Sequence, residues 1–253
     1  MKFNQLVCAL CIFSPIAASA NDHATQKWDG LYIGAKAGHA RADTNLNVLD
    51  ADESRYPDFA GGELITNISL NSGFAGAEIG YQLQHENWVF GIFGSSSFLN
   101  AKDTKWSKDA CCGTGDDKFD TELSIISIIG GHVGYALDKV LLYVGAGAAF
   151  GKVNISVKDT NVNFDGTLSP TLTGKGSDNK WLNGYALNVG ADYALHDAWK
   201  LGLEYTYVKF NRETFDVSGE SFRFGVPEGK AIYTLSSKEF DTQMLAITLK
   251  YIF

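Results

Sequence analysis

Reading back from Phe253, the residues Tyr251, Leu249, Ile247 and Leu245 put an apolar side chain at every second position, with Lys250, Thr248 and Ala246 between them. A period of two gives a strand one continuous apolar face. The same alternation recurs near 30–40, 70–83, 88–99, 121–137, 140–155, 181–195, 199–210 and 239–253. Short connections, Gln84 to Asn87, Asp138 to Lys139 and His196 to Ala198, alternate with long ones over 41–69, 100–120, 156–180 and 211–238. This rhythm predicts an all-β fold, an eight-stranded antiparallel transmembrane β-barrel with short periplasmic turns, four long extracellular loops and both termini in the periplasm.

Parity separates two faces. Leu31, Ile33, Ala35 and Ala37 oppose Tyr32, Gly34, Lys36 and Gly38, and Ala75, Ala77, Ile79, Tyr81 and Leu83 oppose Gly76, Glu78, Gly80 and Gln82. Leu187, Val189, Ala191, Tyr193 and Leu195 oppose Asn188, Gly190, Asp192 and Ala194, and Leu201, Leu203 and Tyr205 oppose Gly202, Glu204 and Thr206. A soluble barrel or sandwich would turn the apolar face inward; a membrane barrel turns it to lipid. Aromatic placement favours lipid. On the apolar parity, Tyr81, Trp88, Tyr135, Tyr193, Trp199, Tyr251 and Phe253 lie near the short turns, and Phe98, Phe150, Trp181 and Tyr207 near the long loops. Two such girdles suit an apolar band about 25 Å tall.

At the other end, Lys2, an apolar run from Leu6 to Ile16 and Ala18-Ser19-Ala20 have the order of a secretory signal peptide, expected over residues 1–20 and followed by a barrel domain over 21–253. Pro15 interrupts that run, and no later stretch approaches the roughly 20 apolar residues of a spanning helix. Cys8 and Cys11 fall within the leader without a convincing lipoprotein cleavage motif. The net charge of −8, one unit more acidic once Lys2 is lost, argues against a nucleic-acid partner, which needs a basic patch.

The stretches WDGLYIGAKAG at Trp28 to Gly38, NWVFGIFG at Asn87 to Gly94, GGHVGYALDKVLLYVGAGAAFG at Gly130 to Gly151, LNVGADYALHDAWKLGLEYTYVKF at Leu187 to Phe210 and the terminal LAITLKYIF taken together resemble the outer membrane β-barrel family of the 25 and 31 kDa surface antigens and hemin-binding proteins of alphaproteobacteria. The resemblance touches every expected strand and leaves the loops unmatched. It implies Sec-type export and an outer membrane surface antigen of a Gram-negative cell, a monomer in contact with membrane lipids, lipopolysaccharide and the barrel assembly machinery. The alternation of Leu245, Ile247, Leu249, Tyr251 and Phe253 is similar to that family's assembly signal. The family's acidic residue is replaced here by Phe93 and its arginines by Gly130 and His132, so the interior charge network must be rebuilt or thinner.

The inward parity collects Lys36, Glu78, His132, Asp192, Lys200, Glu204 and Lys250. Lys36 with Glu78, and Glu204 with Lys250, are expected at similar heights, since buried charges must pair. Such a network serves either as a plug or as a narrow pore or proton path; eight strands leave an interior just wide enough for side chains, here Tyr32, Phe93 and Tyr143, which favours the plug. Catalysis would need a nucleophile beside His132 with Asp192 or Glu78 as orienter, and Ser95, Ser96 and Ser97 lack an elbow-like glycine spacing. No enzyme is expected. The glycines of GAGAAFG fall on the interior parity of a strand, where close packing explains them better than a dinucleotide loop.

Cys111 and Cys112 stand adjacent in a loop, as a strained disulfide, a soft-metal or heme ligand, a link between two proteins, or a feature without required chemistry. His23, His39, His85, His132 and His196 show no metal-ligand spacing, so no cofactor is expected from the residues, and hemin rests on the resemblance. Asp43, Asp50, Asp52, Glu53, Asp58 and Glu63 lack a calcium-loop pattern and read as a solvated surface. The expected function is a surface anchor presenting its loops to a host or other ligand, with hemin or small-ligand binding, and then a narrow pore, as alternatives.

Overall fold

The structure, a computed structural model, describes residues 27–51, 64–108, 116–162, 168–223, 226–237 and 240–253. The expected leader at 1–20 and the Cys111–Cys112 pair lie outside the described residues. The strands are β1 (Gly30–Ala51), β2 (Leu64–His85), β3 (Trp88–Lys108), β4 (Asp116–Leu137), β5 (Val140–Val162), β6 (Leu168–Ala194), β7 (Trp199–Phe210), β8 (Thr214–Arg223), β9 (Val226–Ser237) and β10 (Phe240–Ile252). Neighbours in sequence pair antiparallel from β1 to β7, and β10 closes the cylinder by pairing with both β7 and β1. Because β8 continues β7 along β6, and β9 continues β10 along β1, these segments form eight staves.

Turn chemistry fixes one end. The β2–β3 and β4–β5 hairpins turn on two residues each, and Glu86 (φ 54°) and Asp138 (φ 50°) take the left-handed conformation that such turns require. Between β6 and β7, the amides of Leu195 and His196 both donate to the Trp199 carbonyl, at 3.0 and 3.2 Å.

The staves run well past the boundaries expected from sequence. Ladder pairing continues through much of 41–69, 100–120, 156–180 and 211–238, the stretches read as long loops. The cause is an inversion of polarity. Towards the turns, the outer wall is apolar: Ile92, Ile129 and Ile247 are 68%, 65% and 61% exposed, while Lys36 and Glu78 are buried inside. Further along the same staves the wall becomes polar, as at Arg41, Ser69, Lys102 and Asn154, and the interior takes Ile68, Leu70, Phe119, Leu123, Val153, Ile155, Phe215 and Phe240. Lipid surrounds the first zone and water the second, so the same strand geometry carries opposite patterns.

The two girdles face outward. Tyr81, Trp88, Tyr135, Tyr193 and Trp199 stand on the turn side with half-buried Tyr251, and Phe98, Phe150 and Trp181 on the far side with half-buried Tyr207. Trp88 meets Tyr135 edge-on at 5.3 Å, and Trp199 meets Tyr251 at 5.1 Å. The ten residue steps from Trp88 to Phe98 cover about 33 Å of strand, or roughly 25 Å of height at a tilt near 40°, the thickness of an outer membrane's apolar band.

Candidate functional site

The interior is built in three tiers. At the turn end Trp28 is fully buried among Val89, Ala136, Leu141, Tyr143 and Ala194. Its backbone is tied on both sides: its amide donates to Gln84 Oε1 at 2.8 Å, and its carbonyl accepts from Gln82 Nε2. The chain entering β1 thus folds its own tryptophan across the periplasmic mouth. Lys200 lies against this plug, 4.6 Å above the Trp28 ring, with its ammonium directed to the carbonyls of Asp197 (3.1 Å) and Lys27 (3.4 Å).

The second tier holds three carboxylates and two ammonium groups. Lys36 Nζ lies 3.4 Å from Glu78 Oε2 and 3.5 Å from Glu204 Oε1. Lys250 Nζ lies 2.9 Å from Asp192 Oδ2 and 3.8 Å from Glu78 Oε1, with the Tyr143 and Tyr32 rings at 4.8 and 5.5 Å. Tyr32 donates to Glu78 (3.0 Å), while Tyr143 (3.1 Å), Asn188 (3.2 Å) and Thr206 (3.3 Å) donate to Glu204. Gly80 and Gly190 give the two tyrosine rings their room: a Cβ on either would collide with the ring facing it. Charges this deeply buried persist only when paired and hydrogen-bonded, and this layer is nearly saturated; Asp192 Oδ1 and Thr248 Oγ1 are the exceptions in it.

Lys250 does not pair with Glu204 as expected at equal height. Glu204 faces Ala246 across the β7–β10 ladder, and Lys250 sits nearer the turns, opposite Lys200. His132 and Lys200 point inward but stand outside the ion-pair cluster. His132 is held between Phe93 (6.0 Å, stacked) and Tyr143 (5.5 Å), so Phe93 and His132 fill their part of the interior with rings. Ser95 and Ser97 are buried in the interior, whereas Ser96 shares a 2.5 Å hydrogen bond with Ser127 on the outer wall. Among the described residues, no group of three or more His, Cys, Asp and Glu is arranged to hold a metal ion.

The third tier is the apolar core above the charges, which sequence reasoning missed together with the Trp28 plug. Alternation is present at Ile68 and Leu70 and at Val153 and Ile155 on the opposite parity from the lipid-facing residues below, whereas Phe119 and Leu123 keep the odd parity of lipid-facing Ile129 and Tyr135 and are turned inward by the register shift between Leu123 and Ile125.

A strand-built wall that exposes isoleucines and buries lysines is the arrangement of a protein dissolved in lipid. Residues 7–253 match the family model described as outer membrane protein beta-barrel domain. The chain belongs to that family. The 31 kDa outer-membrane immunogenic protein of Brucella melitensis is 24% identical over 220 residues, covering 87% of this chain and 86% of the relative. The 22 kDa outer membrane protein of Rhizobium leguminosarum is 23% identical over 201 residues, covering 79% and 73%. Among solved structures, outer membrane protein OprG of Pseudomonas aeruginosa aligns with a TM-score of 0.47 at 13% identity, covering 92% of this chain and all of that one. As a member of the outer membrane barrel family, the protein places its apolar band in the outer membrane and its polar upper wall outside the cell.

That upper wall carries ordered polar clusters. Arg41 Nε and Nη2 donate to the two oxygens of Asp43 at 3.0 and 3.3 Å, and Ser69 Oγ donates to the same carboxylate at 2.5 Å. Burial pushes the Asp43 carboxyl up, but these bonds outweigh it and hold it below the usual carboxylate value. Asp120 behaves alike: burial raises it, and hydrogen bonds from Lys118 (2.7 Å) and Thr104 (2.5 Å), with the charges of Lys118 and Lys102, bring it lower.

Proposed function

We propose that the protein is a surface anchor, a sealed barrel whose extracellular end presents interaction surfaces, and that it acts without catalysis. The observation carrying this reading is the three-tier filling of the interior: a tryptophan plug, a paired charge layer and an apolar core leave the outer wall and the far connections as the parts that meet other molecules. The name of the Brucella relative, an immunogenic outer-membrane protein, supports exposure at the cell surface. The interior burial of Ser95 and Ser97 supports a non-catalytic role.

The test is binding of hemin and of host matrix proteins to whole cells, before and after shortening each far connection, at 52–63, 109–115, 163–167 and 224–225. Loss of binding with one trimmed connection, while the folded band persists on unheated gels, is the expected result. Binding that survives all four trims but disappears on changing Glu78 or His132 would move function into the lumen and end this reading.

A further inference from the structure

We propose that the outer end of the barrel carries an open seam between β2 and β3 that binds an extended segment of a partner polypeptide by strand addition. The inference rests on the anchor reading, which gives this end to other molecules, and it names the surface and the chemistry of the partner. The β2–β3 ladder stops at Phe74↔Leu99, one pair beyond the girdle residue Phe98. The strands themselves continue. β2 keeps its pairing with β1 out to Asn47↔Leu64, and β3 keeps its pairing with β4 out to Lys108↔Asp116. Residues 64–73 and 100–108 therefore form two strand edges, each held from behind and without a ladder partner in front, over about 30 Å at 3.3 Å per residue. The β4–β5 and β5–β6 ladders stay closed at this height, out to Lys118↔Lys158 and Val162↔Leu168.

Side chains bridge the seam where the main chain does not. The Asn100 amide donates to Ser72 Oγ at 3.2 Å, and that hydroxyl donates to the Gly73 carbonyl at 2.7 Å. Ser72 thus stands between two main-chain groups that one more ladder bond would join directly. Farther out, the Ser69 amide donates to Asp103 Oδ2 at 3.2 Å, so a carboxylate takes the place of a facing carbonyl. The amides of Ser69 and Asn100 both point into the seam, and a strand sends the amide and carbonyl of every second residue to the same side. Asn71 on one edge, and Lys102 and Thr104 on the other, therefore offer main-chain donors and acceptors there.

The two faces of the seam select the partner's pattern. Inside, it is floored by Ile68, Leu70, Leu99 and Ala101, all buried in the upper core; outside, it is rimmed by exposed Ser69, Asn71, Asn100 and Lys102. A strand entering it continues both surfaces if its residues alternate, apolar to the core and polar to water. Main-chain bonds give such a partner its affinity, and open strand edges are where separate chains pair.

The test uses the full-length protein in mild detergent and a fluorescent eight-residue peptide that alternates valine with lysine or threonine, followed by anisotropy. Saturable binding is expected. The same peptide N-methylated at alternate residues loses its donors along one edge and keeps its side chains, so it should bind about tenfold more weakly or worse. Asn71→Pro and Lys102→Pro each remove an amide that faces the seam and not the β1 or β4 ladder, so heat-resistant folding should persist while peptide affinity falls about tenfold or more. Asn71→Ala keeps the amide and should bind as wild type does, which separates a main-chain effect from a side-chain one. Equal binding of the methylated peptide, or undiminished binding by a folded proline variant, would overturn the proposal. So would dimers of the protein that Asn71→Pro abolishes, since these would give the seam to a second copy. A seam that binds no peptide, while a trimmed connection still abolishes whole-cell binding, sinks this inference and leaves the anchor reading standing.

Discussion

At the scale of single residues, adjacent positions on β10 live in different solvents. Ile247 faces lipid, and an arginine there should cost about 2 to 4 kcal/mol, the mid-membrane penalty for an exposed cation on a barrel wall. Thr248 points inward, is 2% exposed, and its hydroxyl has no hydrogen-bond partner, so Thr248→Val keeps its volume and should change stability by less than about 1 kcal/mol. Urea unfolding in lipid vesicles measures both, and equal losses would mean that the faces are misassigned. Lys250→Ala leaves Asp192 buried without its ammonium, a change that costs about 3 to 5 kcal/mol when one partner of a buried pair is removed. Adding Asp192→Asn should recover part of that loss. Outside the membrane, Asp43 and Asp120 titrate low, so their contribution is complete above the ordinary carboxylate value near 4 and disappears as pH falls through their lower folded values. Both are half-buried at the water-facing surface, where solvent screens them, so the contribution is small. Unfolding temperatures of wild type and Asp120→Asn should therefore differ by a constant amount from pH 7 to 5 and converge only below about pH 4.

At the scale of elements, the lipid-facing half of the barrel was legible in the sequence because glycine, charge and aromatic placement all obey one parity there. The faces of β1, β2, β6, β7 and β10 follow directly from it. The upper half was not, since the phase of the alternation reverses where the solvent changes, and a reader following the lipid face sees Arg41 or Lys102 as the start of a loop. The partners of Lys250 were equally out of reach, because ladder register, not strand order, decides which charges meet. The β8–β9 hairpin extends two staves without carrying the barrel's closure, which rests on β10 pairing with β7 from Phe240↔Phe210 to Tyr251↔Trp199. Replacing residues 214–237 by a short turn should leave a heat-modifiable barrel of lower urea midpoint, since Phe215 and Val217 leave the upper core. A chain that no longer folds would show that the upper core, and not the lipid-facing ladder, carries the stability.

At the scale of the whole molecule, three independent seals predict electrical silence. Purified protein in a planar bilayer should give no stable nanosiemens-scale conductance, and Trp28→Ala should not open it, because the charge layer and the apolar core remain. Channels from the wild-type monomer would contradict the filled interior. The polarity inversion also fixes the depth at which the molecule floats. The 23 residues of β5 rise about 58 Å at 3.3 Å per residue and a tilt near 40°, of which only about 25 Å lies in lipid. In topographic terms the two sides of the membrane are unequal. A force-microscope tip should meet a stiff peg some 20 to 30 Å high on the outer face, and almost nothing on the inner face, where turns of two to four residues end the staves at the headgroups.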